Sequence, residues 1–370
     1  MSVPLLDLKA QHATLREELL AAATSVIDDQ AFILGKQVGM LECEVAGLSH
    51  TKFAIGCANG TDAILLALRA LGIGKGDEVV TTPFTFFATA GTIHNAGATP
   101  VFVDIEPRTF NIAPEAVAAA IRPATKAVIP VDLFGQMAPI EQVALAAKGL
   151  PVIEDAAQSI GARRAIDGEW RMAGEAATIG TFSFFPSKNL GGWGDGGMIV
   201  TQDEALAKRL NMLRTHGGSK TYYHEMVGYN SRLDTLQAAA LLVKLPHLAA
   251  WSAARRANAA WYDRAFADVP EIVTPAIDPA NESIYNQYTI RVPRRDDVMA
   301  HLKSHGIGCS VYYPLPLHLQ PCFSYLGYKA GQCPEAERAS QEVLSLPVYP
   351  EMTEAQRDEV ATTVRAFFGR

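Results

Sequence analysis

Lys188 stands in SFFPSKNLGGWGDGG, with apolar and aromatic residues before it and glycines after it. A lysine is ordinarily a solvated surface charge. Here Pro186 and Gly191 flank it on a loop beyond a buried strand end, which holds the amine near the interior. A desolvated lysine has a depressed pKa, and its free amine attacks a carbonyl to form a Schiff base. In CANGTDAILLAL, Asn59, Gly60 and Thr61 come just before an apolar-periodic helix. An ordinary N-cap would account for Asn59 or Thr61. Free N–H groups, the helix dipole and the close approach that Gly60 permits would equally make an anion site. In PVIEDAAQS, Glu154 and Asp155 end a strand. Alternation sends them to opposite faces, so they do not share a proton, and one of them points into the crevice beyond the carboxyl ends of the strands. The plainer alternative is that Asp155 caps the next helix.

Other residues compete for attention. Phe84, Phe86 and Phe87 in TTPFTFFAT are core or supply a flat stacking partner. Arg232 in GYNSRLD is a clamp for a carboxylate or phosphate, or a solvated helix start. His301 and His305 share a helix face at metal-compatible spacing, but no third ligand is near, so a solvated face is favoured. A literal GxGxxG at Gly192, Gly194 and Gly197 runs into a strand at Met198 rather than into a helix. That order contradicts the dinucleotide fingerprint, and the glycines instead let the backbone pack closely around Lys188.

These residues need a scaffold. Val- and Ile-rich runs at 78–82, 100–104, 127–131 and 152–154, spaced by helix-length segments, predict βαβ units and a parallel sheet flanked by helices. Runs at 181–185 and 198–201 are too close for a crossover helix and predict a hairpin-like excursion with Lys188 at its tip. Helices are predicted over 203–213 and over 235–263, the second interrupted at Pro246. Beyond lie a strand over 287–292, a helix over 296–305, a Pro- and Tyr-rich loop over 312–321 and a closing helix from Thr353. The expected division is a large domain with an N-terminal arm, 1–246, and a smaller C-terminal α+β domain, 247–370.

The 370 residues are 49% apolar, enough for a sizeable core, which excludes general disorder. Thirty-two Lys and Arg against 39 Asp and Glu leave a net charge of -7 without a dense basic run, so no nucleic-acid or anionic-membrane partner is expected. No apolar stretch approaches the roughly 20 residues of a spanning helix, and MSVPLLDLKAQ lacks a signal-peptide layout. Five scattered cysteines without a CxxC pair argue against a disulfide framework or a zinc site. Together these predict a cytoplasmic protein with no metal.

A Schiff-base lysine, an anion-binding helix start, a strand-end aspartate and an aromatic form the parts list of a pyridoxal-phosphate site. CANGTDA, TTPFTFFAT, EDAAQSIGA, SFFPSKNLGGWGDGG and GYNSRLDTLQAA, in this order, closely resemble the DegT/DnrJ family of sugar-nucleotide aminotransferases. The resemblance runs from Leu5 to Thr353 and implies an α/β chain of the aspartate-aminotransferase fold, fold type I. It implies that Lys188 holds pyridoxal 5′-phosphate and then moves protons between the substrate carbon and the cofactor C4′ carbon. Some related sugar dehydrases have histidine there, so lysine favours transamination. Asp155 would pair with the pyridinium nitrogen, Gln158 with the 3-hydroxyl, and Phe86 would stack on the ring. Gly60, Thr61 and Ser183 would hold the phosphate, joined by Asn230 from the neighbouring subunit of a homodimer. Phe32, Arg232, Tyr312, Tyr313 and His318 would lie on the substrate side.

The implied reaction is ping-pong, with glutamate as amino donor, a pyridoxamine phosphate form, and the keto group of a nucleotide-linked sugar as acceptor. VYYPLPLHLQP, from Val311 to Pro321, resembles the loop of members acting on UDP-linked 2-acetamido-3-keto-hexuronates, in cell-surface polysaccharide and lipopolysaccharide O-antigen synthesis. Many relatives carry His-Tyr-Pro where this chain has Tyr312-Tyr313-Pro314. The alternatives are a dTDP-3-keto-6-deoxyhexose 3-aminotransferase and a non-catalytic pyridoxal-phosphate-binding regulator.

Overall fold

The Val- and Ile-rich runs fold as strands because branched side chains pack well on a pleated surface covered on both faces. A computed structural model describes residues 2–220 and 222–370. Its main strands are β1 (Phe53–Cys57), β2 (Glu78–Thr81), β3 (Thr99–Phe102), β4 (Thr125–Ile129), β5 (Ile153–Asp155), β6 (Ile179–Ser183) and β7 (Gly197–Thr201). Strand β2 pairs in parallel with β3 and β4, and β5 with β6. Parallel bridges from Val128 to Val152 and from Val131 to Asp155 join β4 to β5. Strand β7 lies antiparallel between β6 and β1. The result is one sheet in the order 3-2-4-5-6-7-1, in which β7 alone is reversed.

Alternation along each strand builds two cores. Ile153, Ile179 and Ile199 pack with the helices Gly60–Ala70 and Glu204–Arg214. Phe182, Met198 and Val200 pack instead with Lys36–Leu48 and Thr235–Lys244. The crossovers after β2, β3 and β4 carry the helices Ala88–Asn95, Pro114–Ala120 and Ile140–Ala146. Between β5 and β6 the chain makes no helix but an antiparallel ribbon, Arg163–Ile166 against Glu169–Met172, which the pattern of the sequence did not reveal. The β6–β7 hairpin forms as expected, Gly180 opposite Val200 and Ser183 opposite Gly197, with Lys188 on the connection.

Pro246 divides the long helical stretch as expected. Thr235–Lys244 ends in a tight turn, Leu245–His247, and the helix resumes as Leu248–Phe266. The proline lacks the N–H that a continuous helix needs, but its fixed φ suits a fresh first turn. Further on, Tyr288–Arg291 pairs antiparallel with Val343–Leu346 under the helices Arg295–Ser304, Glu354–Phe367 and Leu248–Phe266. Val3 is buried in this same cluster, its strap bridging to Ile307. Thr353 caps the closing helix in a reciprocal box with Gln356. No helix among the described residues is long and apolar enough to cross a membrane.

Candidate active site

The parallel strands bring their carboxyl ends to one edge, and Asp155 closes β5 there, in register with Thr181 of β6. No helix directly follows Asp155 for it to cap; the next element is the ribbon beginning at Arg163. Its buried carboxylate accepts a hydrogen bond from Thr89 Oγ1 at 2.7 Å and one from the Ala157 N–H at 3.3 Å. Burial pushes the Asp155 carboxyl above its ordinary range, while Thr89, Ala157 and the charge of Lys188 pull it back. Lys188 is half-buried, and burial lowers its ammonium to about 8 against the opposing charge of Asp155. A useful fraction of free amine is therefore present just above neutral pH. The loop that holds it is tight: a Cβ on Gly191 would meet Pro186 O at 2.3 Å.

Glu154 leaves β5 on the other face, as alternation requires. It is fully buried, accepts from the Gly174 N–H at 3.0 Å and lies against Asp132. Burial and their mutual repulsion raise Glu154 well above the usual range, and burial raises Asp132 to about 6. Asp132 is itself held by the hydroxyl of Ser159 at 2.7 Å and the N–H of Ala138 at 2.8 Å. Glu154 and Asp155 thus face apart, and the carboxyl that meets Glu154 is Asp132.

Beside Asp155, the helix Gly60–Ala70 starts under an Asn59 cap whose Oδ1 accepts from the Asp62 N–H at 2.8 Å. The N–H groups of Gly60 and Thr61 stay ahead of the first turn, where helices lack internal acceptors. A Cβ on Gly60 would stand 2.7 Å from Ser183 Cβ, so the glycine lets the helix start close on the end of β6. This cradle has the N–H donors and the hydroxyl that a phosphate requires. Of the three phenylalanines, Phe84 packs in the core at 5.7 Å from Phe110, and Phe87 stacks on Phe323 at 5.6 Å. Phe86 is 59% exposed and, among the described residues, meets no other ring, which leaves its face for a flat ligand. Gln158 Oε1 accepts from the Phe134 N–H at 2.6 Å, and its Nε2 donates to Tyr313 OH at 3.3 Å. Burial raises the Tyr313 hydroxyl, which therefore stays protonated.

The model of the DegT/DnrJ/EryC1/StrS aminotransferase family matches residues 13–365. The chain belongs to this family. It is 52% identical to a pleiotropic regulatory protein of Geobacillus stearothermophilus, with 100% of this chain and 99% of that one covered. It is 47% identical to a UDP-N-acetyl-3-dehydro-alpha-D-glucosamine 3-aminotransferase of Acidithiobacillus ferrooxidans, over 98% and 97% of the two chains. Identity is 44% to a UDP-2-acetamido-2-deoxy-3-oxo-D-glucuronate aminotransferase of Pseudomonas aeruginosa, over 94% and 95%. Among solved structures, DesV of S. venezuelae superposes with a TM-score of 0.96 at 41% identity, covering 100% and 99%. NtdA of Bacillus subtilis, solved with its cofactor PMP, superposes at 0.90 with 31% identity, covering 99% and 83%. The fold is thus fold type I, and the enzyme is a sugar-nucleotide aminotransferase.

In this aminotransferase the remaining expected site residues form separate groups. Asn230 and Arg232 line a cleft of about 420 Å³ with Asn59, Asp195 and Gln237, without Lys188 or Asp155. Phe32 is 50% exposed beside it, its carbonyl accepting from the Thr235 N–H at 3.0 Å. Tyr312 packs edge-on against Tyr313, with ring centroids 5.9 Å apart. His318 is enclosed, its Nε2 3.1 Å from Glu337 Oε1 and its ring against Phe102 and Tyr328. There it anchors its own loop rather than facing an open cleft. His301 meets the Thr363 carbonyl at 3.2 Å, and His305 turns back on the His301 carbonyl at 2.8 Å. Two residues escaped the sequence. Thr89 carried a signal, a hydroxyl one helical turn after Thr85 within TTPFTFFAT, and the two are 3.0 Å apart. Asp132 carried none, since its contact with Glu154 joins neighbouring strand ends.

Proposed function

We propose that this aminotransferase uses pyridoxal 5′-phosphate to move an amino group from glutamate to C3 of a UDP-2-acetamido-2-deoxy-3-keto-hexuronate, for cell-surface polysaccharide synthesis. The observation that carries the reading is the half-buried Lys188 amine set against buried Asp155 beside the Gly60–Ser183 cradle. Pyridoxal phosphate, when bound, supplies an electron sink for the carbanion formed as a proton leaves the amino-bearing carbon. Lys188 Nζ holds the cofactor and carries that proton. Asp155, fixed by Thr89, keeps a proton on the ring nitrogen. Gly60, Thr61 and Ser183 bind the phosphate, Phe86 covers the ring face, and Gln158 meets the 3-hydroxyl. Tyr312 and Tyr313 border the sugar, and His318 holds their loop in place through Glu337.

A homodimer completes the site, with Asn230 and Arg232 reaching the cradle of the partner. One feature supports this: Phe32, Ile33 and Leu34 expose apolar surface beside their cleft. We divide the chain into a large domain, 1–246, and a small one, 247–370; the break in the helix at Leu245–His247 supports this reading. Five unpaired cysteines fit a cytoplasmic setting.

The 44% relative's hexuronate substrate supports the choice of sugar, and the 47% relative's glucosamine derivative supports amination at C3. The name of the 52% relative favours a second reading, a regulator that binds the cofactor without turnover. Purified protein should absorb visibly through bound cofactor, and Lys188→Ala should lose both that band and amine transfer. Retention of both in Lys188→Ala would sink the assignment. With glutamate as donor, transfer to the UDP-hexuronate should exceed transfer to a neutral UDP-3-ketosugar or a dTDP-3-keto-6-deoxysugar; absorbance without transfer to any of them would establish the regulator.

A further inference from the structure

Lys244 is a buried cation without an ion pair among the described residues. It ends the helix Thr235–Lys244, 1% exposed, and its Nζ donates to the Gly191 carbonyl at 2.7 Å. Burial lowers its ammonium to about 8. His12, on the helix Leu8–Asp29, feels this charge and brings no negative charge to meet it. Burial and then Lys244 lower the His12 imidazolium, and its Nε2 has no partner among the described residues. A lysine removed from water ordinarily has a carboxylate for company, because one neutral carbonyl replaces only part of its hydration. A cost of this kind is kept where it serves a site.

The carbonyl it meets belongs to the Lys188 loop, and no other donor reaches that carbonyl among the described residues. The chain doubles back tightly there. The Lys188 N–H donates to Phe185 O at 2.8 Å and the Gly192 N–H to Phe184 O at 2.7 Å, while a Cβ on Gly191 would stand 2.3 Å from Pro186 O and 3.0 Å from Phe185 O. These contacts give the turn its shape, and ties to other elements decide where it stands. Asn189 donates to the Ile284 carbonyl at 3.1 Å. The returning limb is held at two points of one helix: Gln237 Oε1 accepts from the Trp193 N–H at 2.7 Å, and two helical turns on, Lys244 takes the Gly191 carbonyl. We infer that Lys244 is a positioning residue: through the Gly191 carbonyl it holds the loop where the Lys188 amine meets the cofactor's carbonyl carbon. The inference rests on the reading of Lys188 as the amine that bonds pyridoxal phosphate. In that step Nζ joins C4′, and the aldehyde oxygen leaves as water with the two hydrogens of the amine. A displacement on the order of 1 Å weakens such a directed step.

Pyridoxamine phosphate separates this role from a merely structural one. It needs the same phosphate cradle and ring site, but it carries an amine at C4′ and makes no bond to Lys188. The full chain freed of cofactor and its Lys244→Met variant are titrated calorimetrically with each compound, and the visible band is followed for pyridoxal phosphate. The expected result is a Kd for pyridoxal phosphate raised about tenfold, the lower range for loss of a hydrogen bond from a charged donor, with the Kd for pyridoxamine phosphate within about twofold of the parent. An equal rise in both would show that Lys244 supports the fold at large and would overturn the inference, as would parental values for both. Should Lys244→Met fail to fold, Lys244→Gln, whose nitrogen stands one bond short of the carbonyl, must give the same split or refute it. In a Lys188→Ala background, Lys244→Met should leave the affinity for pyridoxal phosphate unchanged. A further loss there would mean that Lys244 acts on something other than Lys188, against the inference. Neither titration needs a sugar or an amino donor, so the outcome is independent of the substrate. Loss of the visible band in Lys188→Ala together with parental values in Lys244→Met would refute the positioning role alone and leave the reading of Lys188 standing.

Discussion

Thr89 sets how much charge Asp155 carries. Its hydroxyl, 2.7 Å from Oδ2, opposes the burial that drives the carboxyl toward its neutral form. Thr89→Val keeps the shape and removes the donor, so the Asp155 pKa should rise and the acid limb of the kcat profile should move to higher pH. A fall in kcat of about tenfold is expected, the equivalent of roughly 1.4 kcal/mol and the lower range for a hydrogen bond to a charged group. Thr89→Ser should behave like the parent. An unshifted pH profile in Thr89→Val would show that the hydroxyl merely packs. At this scale the sequence was informative where chemistry is unusual: a lysine among aromatics and glycines, a carboxylate at a strand end. For Thr89 it offered only the spacing from Thr85, which does not tell which partner the hydroxyl faces.

A single strand presents two carboxylates to two environments. Alternation on β5 sends Asp155 toward Thr89 and Lys188 and Glu154 toward Gly174 and Asp132. Because Glu154 and Asp132 have raised folded-state pKa values, their contribution to stability is fullest below the ordinary carboxylate pKa and is lost as pH rises through the raised values. Glu154→Gln keeps an acceptor for the Gly174 N–H and removes the need for the proton. It should therefore stabilise the enzyme at pH 8 by roughly 1–3 kcal/mol, with the gain shrinking towards pH 4. Urea unfolding at both pH values tests this, and equal destabilisation at both would mean that Glu154 acts by packing alone. The same strand logic explains what was legible among the elements. Runs buried on both faces, such as Val79-Val80 and Ile199-Val200, announce themselves. The helix Leu8–Asp29 does not, since only Gln11, Leu15, Leu19 and Val26 of its 22 residues are buried.

For the whole molecule, the proposed sharing of sites between subunits has a direct consequence. Lys188→Ala and Asn230→Ala should each be inactive, yet a 1:1 mixture allowed to exchange subunits should regain about a quarter of the parental activity, because half the dimers would be mixed and each would hold one intact site. Activity that never returns, with exchange verified by mass, would place Asn230 in the site of its own chain. The sequence by itself determined the strand alternation, the break at Pro246, the hairpin that carries Lys188 and the cap at Thr353, because each depends on neighbours within a few residues. Only the tertiary structure decided that Thr89 serves Asp155, that Asp132 meets Glu154, that His318 is enclosed and that Lys244 meets the Gly191 carbonyl of the Lys188 loop. Each of these joins segments far apart in the chain, where burial and the loss of water, rather than local pattern, set the chemistry of a side chain.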